Sequence, residues 1–194
     1  MDRTRKQLLT VLVVAVTVGI VAMLSGVGVF SAFSSTTQND GNSFSTGTVT
    51  ISDNDAGAAM YNVSNKKPND TVTSCIQLTY TGSLAADVHL YTTSSIGALG
   101  QYLNLTIDKG TGMGPFPSCT GFTSQATVYS GTLQSFANTK SNFATGVAAF
   151  PGAQTQWNQN DTLVYRFTLS VQDNNNAGGL TTGSHSFIWE AQNQ

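Results

Sequence analysis

"TLVYRFTLSV", residues 162–171, alternates without a break. Leu163, Tyr165, Phe167, Leu169 and Val171 fall on one face, and Val164, Arg166, Thr168 and Ser170 on the other. A period of two is the signature of a strand with one buried face, because successive side chains leave a strand on opposite sides. The pattern recurs along the chain. In "TVTSCIQLTY" (71–80), Val72, Ile76, Leu78 and Tyr80 oppose Thr71, Thr73, Gln77 and Thr79. In "ADVHLY" (86–91), Val88 and Leu90 oppose Asp87, His89 and Tyr91. "YLNLTID" (102–108) carries Leu103, Leu105 and Ile107, and "HSFIWEA" (185–191) places Phe187 and Trp189 on one face. "TGSL" (81–84) reads as a turn with Gly82 free for positive φ, so the flanking strands are expected to form a hairpin. "GTGMGPFPSCTG" (110–121) and "DNNNAGGLTTG" (173–183) read as Gly-rich loops, and "LQSFANTKSNFA" (133–144) holds room for one short helix. Short strands with Gly-rich connections predict an all-β antiparallel sandwich of jelly-roll type over residues 43–194.

Upstream the character changes. "MDRTRK" carries Arg3, Arg5 and Lys6 against Asp2, and Leu8 to Phe30 contains no charge. A basic start before an apolar run is the anatomy of an export signal, over residues 1–32. The run also reaches the roughly 20 residues that cross a bilayer, so an uncleaved anchor is the alternative. The basic flank would keep the N-terminus cytoplasmic and send the rest across. Ala32 is small enough to precede a cut that leaves Phe33 first, with cleavage after Ser31 the other option because Phe30 is bulky. Residues 33–42 then form a polar, extended segment between signal and domain.

After residue 32, five basic and nine acidic residues remain, a net charge of −4. They form no basic patch, which argues against a nucleic-acid partner. The two cysteines, Cys75 and Cys119, both lie in the exported part. Outside the cell they can form one disulfide; two separate buried thiols are the alternative.

Four stretches, in order, resemble the TasA/camelysin family of exported bacterial proteins. "SAFSSTTQNDGNSFSTGTVTI" resembles the family start at Ala32, Phe33, Asn42, Phe44, Gly47, Thr48 and Ile51, with Ser35 and Thr36 where acids are common. "MYNVSNKKPNDTV" resembles the Val-Ser-Asn, Lys-Pro-Gly-Asp segment, with Asn69 in place of the Gly. "IQLTYTGSLAADVHL" resembles the strand pair that follows, with Tyr80 where an Asn is usual. "NDTLVYRFTLSV" and "HSFIWEAQNQ" complete the series. The resemblance implies export, cleavage near Ala32 and Phe33 by a dedicated signal peptidase, and assembly of some members into biofilm-matrix fibres. It also implies a role for the mature N-terminus as a donor strand: Phe33, Ser34, Ser35, Thr36, Thr37, Gln38 and Asn39 would add to the sheet of the next subunit. The alternative for that segment is a polar tether. The partner would then be the protein itself, with membrane contact only through the uncleaved signal.

Some family members are classed as metallopeptidases. Zinc proteases commonly carry two His on one helical turn with a Glu between, and catalytic zinc usually takes three protein ligands. His89 and His185 are far apart in sequence. His89 with Asp87 and a distant Glu190 is the one imaginable site; polar residues on a solvent face are the simpler reading. No Gly-x-Ser-x-Gly elbow is present. "SDNDAG" and "QDNNNAGG" offer oxygens suited to Ca²⁺ but lack EF-hand spacing, and turn-forming Asx residues account for both. Asn62, Asn69, Asn104 and Asn160 begin chance sequons. No catalytic, cofactor or metal residue is assigned. Three functions therefore stand: a fibre subunit, a secreted protease, and a monomeric adhesin with Tyr91, Tyr129 and Trp157 as its candidates, residues that suit edge or core positions equally.

Overall fold

The computed structural model describes residues 46–193. The apolar run Leu8–Phe30, the Ala32–Phe33 junction and the segment Phe33–Asn39 lie outside the described residues. Among the described residues, no helix is long and apolar enough to cross a membrane.

The five alternating stretches become β2 (Thr71–Tyr80), β3 (Ala86–Tyr91), β4 (Leu103–Thr111), β7 (Thr162–Val171) and β8 (Ile188–Asn193), and the structure adds three strands that alternation does not mark, β1 (Ile51–Asp53), β5 (Thr123–Thr132) and β6 (Val147–Ala148). One sheet runs β1-β2-β7-β4-β5 and the other β6-β3-β8. Every strand pairing between them is antiparallel. The chain changes sheet between β2 and β3, β3 and β4, β5 and β6, β6 and β7, and β7 and β8, the winding expected of a jelly-roll sandwich. The stretch 162–171 is the central strand of the larger sheet. Its inward Leu163, Tyr165 and Phe167 are buried to within 1% of full coverage. Each such side chain contributes roughly 1.5–3 kcal/mol through burial.

The short helix also forms, as α1 (Leu133–Thr139). Thr132 caps it by accepting from the Ser135 N–H at 3.1 Å, and Leu133 and Phe136 turn into the core. Phe136 then meets Tyr129 edge-on at 4.9 Å and Phe187 at 5.6 Å. These aromatic contacts join the end of the larger sheet to the approach to β8.

Two expectations fail here. β2 and β3 are not a hairpin: they lie in different sheets, and β2 pairs with β7 and β1 instead. The turn is taken up by the strand entering β1, whose Thr50 carbonyl accepts the Thr81 and Gly82 N–H groups. Gly82 is not needed for positive φ either. A Cβ there would collide with the Tyr80 hydroxyl and the Thr48 carbonyl, so the residue must be small to admit backbone.

Both cysteines meet in one disulfide, Cys75–Cys119. It straps the β4–β5 loop across the outer face of the larger sheet, as far as β2. There the Cys75 N–H donates to the Pro117 carbonyl at 2.9 Å. Beneath the strap, Arg166 stands in register with Cys75 and Asp108. Its guanidinium reaches the nearly buried Asp108 carboxylate at 2.7 Å and lies 4.7 Å from the Phe122 ring centre. The Thr127 hydroxyl donates to the other Asp108 oxygen at 2.6 Å. A buried carboxylate is tolerated because both oxygens are engaged.

Deep in the core, the Tyr165 hydroxyl and the Trp189 Nε1 each lack a hydrogen-bond partner among the described residues. Burial pushes the Tyr165 phenol, and that of Tyr61, well above the ordinary value of 10.0. The Trp189 indole, near but outside hydrogen-bond geometry, offsets part of the rise for Tyr165. The sign follows directly. Above about pH 10 the unfolded chain ionises its tyrosines while the folded chain holds these two neutral, so stability falls with rising pH. Each such group adds a slope of about 1.4 kcal/mol per pH unit. Tyr165→Phe is therefore expected to raise stability by about 1 kcal/mol near neutrality, because it removes a hydroxyl that folding desolvates for nothing. It should also flatten the alkaline limb by one proton. Urea denaturation at pH 7 and at pH 11 measures both; a loss of stability at pH 7 would mean the hydroxyl is satisfied.

Candidate functional site

Two kinds of site are suggested by the chain: an edge that can take a further strand, and a cluster that can hold a metal. The edges come from topology. Ala86 exchanges both of its backbone hydrogen bonds with Trp157, at 3.0 and 2.8 Å, on the β6 side of β3. Backbone groups alternate in direction along a strand, so Asp87, His89 and Tyr91 face β8. Their partners there are Gln192, Glu190 and Ile188. Trp189, Ala191 and Asn193 consequently aim their N–H and C=O groups off the other side of β8, where no described strand pairs with them.

That edge is also incompletely covered. On β3 the inward side chains Ala86, Val88 and Leu90 are 0% exposed. On β8 the inward Trp189 and Ala191, and Phe187 just before them, remain partly exposed although they pack on the same core. Near the start of β8 the segment around Met60 closes the gap. The Met60 carbonyl accepts from the Ser74 hydroxyl at 2.7 Å, and the Tyr61 hydroxyl and His185 Nε2 lie 2.7 Å apart.

β1 and β6 also end their sheets, over three and two residues, and the other long edge is β5. Its pairing with β4 slips twice, between Ile107 and Asp108 and between Lys109 and Gly110. Such irregularities kink an edge and spoil it as a template. β8 pairs with β3 one to one along its whole length.

The polar residues sort differently. Glu190, distant from His89 in sequence, lies directly opposite it across β3 and β8, with Asp87 one step along the same face. His89 stacks on Phe143 at 4.1 Å, and its Nδ1 is 2.6 Å from the Phe143 carbonyl. Glu190 accepts from the Tyr91 hydroxyl and from Gln192, each at 2.7 Å. Those two bonds, Gln192 first, and the nearby His89 hold its carboxyl below the usual carboxylate range. The same bond to Glu190, then burial, raises the Tyr91 phenol. His185 is elsewhere, with Nε2 on Tyr61 and Nδ1 3.2 Å from the Gly183 carbonyl. Both cysteines are bound to each other.

No group of three His, Cys, Asp or Glu among the described residues is placed to hold a metal ion. The residues 1–45 would add only Asp2 and Asp40 to the donor set. The acidic loops fold as turns. The Asp55 N–H bonds Asp53 at 3.1 Å, the Gly57 N–H bonds Asp55 at 2.6 Å, and the Asn176 N–H bonds Asn174 at 2.9 Å. Among the aromatics offered for an adhesin, Trp157 takes the core alternative: it is 0% exposed and donates to the Ala149 carbonyl at 2.7 Å. Its indole fills the end of the core, and the isolated Trp in a polar stretch concealed this. Tyr129 is half-buried against Phe136. The four sequon asparagines are exposed.

The sequence model of the camelysin metallo-endopeptidase family matches residues 4–112. That is more than half of the chain. The chain belongs to the camelysin family. No curated protein matches it. The match covers β1 to β4 and the N-terminal segment, and it agrees with the resemblance carried by the Ala32–Phe33 region and by 60–72. The enzymatic part of the family's name implies a catalytic metal, and the described donors of this camelysin-family chain do not fit one. A zinc site of the usual kind needs three convergent ligands. Here one histidine has both ring nitrogens engaged within the protein, and the other faces a carboxylate already bonded twice.

Proposed function

We propose that the chain is an exported structural subunit of extracellular, biofilm-matrix fibres, and not a peptidase. After cleavage near Ala32, residues Phe33–Asn39 serve as a donor strand in the next subunit. The observation that carries this reading is a sandwich whose sheets end in strands with no further described strand beside them, in a chain that also supplies a Phe-led stretch, residues 33–39, without a charged side chain. An added strand gains backbone hydrogen bonds along such an edge and side-chain pockets at alternate positions. The contact is heterologous, donor to acceptor, so it grows without closing. The disulfide supports an oxidising, extracellular destination.

Electron microscopy of the purified chain beginning at Phe33 tests the proposal. Filaments are expected, and casein incubated with the same material should show no cleavage that a chelator suppresses. Dispersed monomers under all assembly conditions would remove the structural reading. Chelator-sensitive cleavage lost in His89→Ala would restore the peptidase.

A further inference from the structure

We propose that the Lys66–Lys67 peptide bond is a processing site, taken by an endopeptidase that requires a basic side chain before the scissile bond, and that the cut frees residues 67–194 as a folded domain. Residues 62–69, "NVSNKKPN", are all exposed and belong to no helix or strand. Val63 keeps 49% of its surface in solvent. Among the described residues, 62–66 take part in no hydrogen bond. The span is held only at its ends. Upstream, the Tyr61 hydroxyl lies 2.7 Å from His185 Nε2. Downstream, the Lys67 N–H donates to Asp70 Oδ2 at 2.9 Å, and the Lys67 carbonyl accepts from the Asp70 N–H at 3.0 Å. Exposed loop tips of this kind are where nicking concentrates. An endopeptidase binds its substrate in extended form, as an added strand. Extending 63–67 breaks only the two bonds of the exposed 67–70 turn. It also moves Asn65 out of φ 56°, a left-handed backbone that L residues leave readily.

Charge singles the bond out. Beyond residue 32 the basic residues are Lys66, Lys67, Lys109, Lys140 and Arg166. The last three are closed to a protease. Lys109 lies in β4, paired on both sides, with its ammonium on the Phe150 and Gly152 carbonyls at 2.8 and 3.1 Å. Arg166 lies in β7 between β2 and β4, bound to Asp108. Lys140 follows α1, its N–H on the Phe136 carbonyl at 2.7 Å and its carbonyl on the Thr92 N–H at 2.9 Å. Lys66 and Lys67 are exposed, and their side chains engage no partner among the described residues. Two adjoining cations on an otherwise acidic domain draw an acidic specificity pocket to this point. The Lys67–Pro68 bond is no second site, because the proline ring replaces the N–H after the scissile carbonyl.

Hydrolysis adds one water across the bond, leaving a carboxylate on Lys66 and a new amino group on Lys67. Every buried residue among those described, from Ser74 to Val171, and both cysteines lie after the cut. Before it lie only partial covers of the core, Val49, Ile51, Met60 and Tyr61, and the three rungs of β1 on β2. Once these contacts are no longer intramolecular, dilution separates the pieces. The cut thus releases the sandwich from whatever holds the N-terminal part, a membrane or a neighbouring subunit, and depends on neither.

The test treats the folded chain that begins at Phe33 with trypsin at low enzyme ratio, without denaturant. Mass spectrometry is expected to find a single early cut, giving 33–66 and 67–194. Gel filtration of the nicked protein at sub-micromolar concentration should elute 67–194 without 33–66, with its β circular dichroism retained. Lys66→Gln is expected to lose the early cut and Lys67→Gln to keep it; both exchange exposed side chains on which folding does not depend. A first cut after Lys109, Lys140 or Arg166, resistance until the domain unfolds, or cutting of Lys66→Gln as fast as the parent would overturn the site. Fragments that co-elute at that dilution would overturn the release.

Discussion

On the proposed fibre reading, deleting residues 33–39 from the chain that begins at Phe33 is expected to leave a folded monomer that does not polymerise. The fully buried core of the described residues, with Ile76, Leu78, Tyr80, Leu105, Tyr165 and Phe167, is covered by residues between Val49 and Ala191. The domain's unfolding transition should therefore shift little. What the deletion removes is the backbone pairing and the phenyl ring of Phe33 at every joint of the polymer. Burying one such ring is worth roughly 1.5–3 kcal/mol, so Phe33→Ser alone should raise the critical concentration for assembly by about 10- to 100-fold, at 1.4 kcal/mol per tenfold. Sedimentation of the polymer against total protein concentration measures both variants. If the truncated chain pellets as the full one does, residues 33–39 are a tether.

The second large effect concerns the strap. Replacing Cys75 and Cys119 together by Ala is expected to cost about 4 kcal/mol, the chain-entropy value for a closed loop of this length; the bridged residues are 44 apart in sequence. Ordinary domains hold only about 5–15 kcal/mol in total, so the loss is a large share. Beyond the entropy, a loosened 112–122 loop would withdraw the Pro117 carbonyl from the Cys75 N–H and the Phe122 ring from Arg166. Urea denaturation with an unchanged m-value measures the cost, and alkylation of the native protein without reductant should label neither thiol. A double variant as stable as the original would mean that the hydrogen bonds of the loop hold it unaided.

The strands were legible because alternation is local. Leu163, Tyr165, Phe167, Leu169 and Val171 declare a buried face by spacing alone, and the structure buries all five. For the short helix the sequence offered only room within 133–144; the Thr132 cap and the inward Leu133 and Phe136 came from the structure. The β2–β3 hairpin was misread because a Gly-containing turn between two strands looks alike whether the chain reverses within a sheet or crosses to another. Only the competing claim of Thr50 on the turn's N–H groups decides between them. Trp157 could not be assigned between surface and core because no periodicity surrounds it; the structure buries it. The meeting of Glu190 with His89 could be imagined from the sequence but not established, since strand register across a hundred residues leaves no trace in spacing; the structure pairs them.

By itself, then, the sequence determined the all-β class, the buried face of the five alternating strands and the availability of one disulfide, because side-chain period and cysteine number are properties of short stretches. Tertiary structure alone decided that β2 joins β7, that the strap lies over Arg166, and that β8 ends its sheet with Trp189 and Ala191 half covered. The backbone hydrogen bonds of a strand are the same with any neighbour. Which neighbour it takes, and which edge is left without one, follows from how all the buried faces pack together.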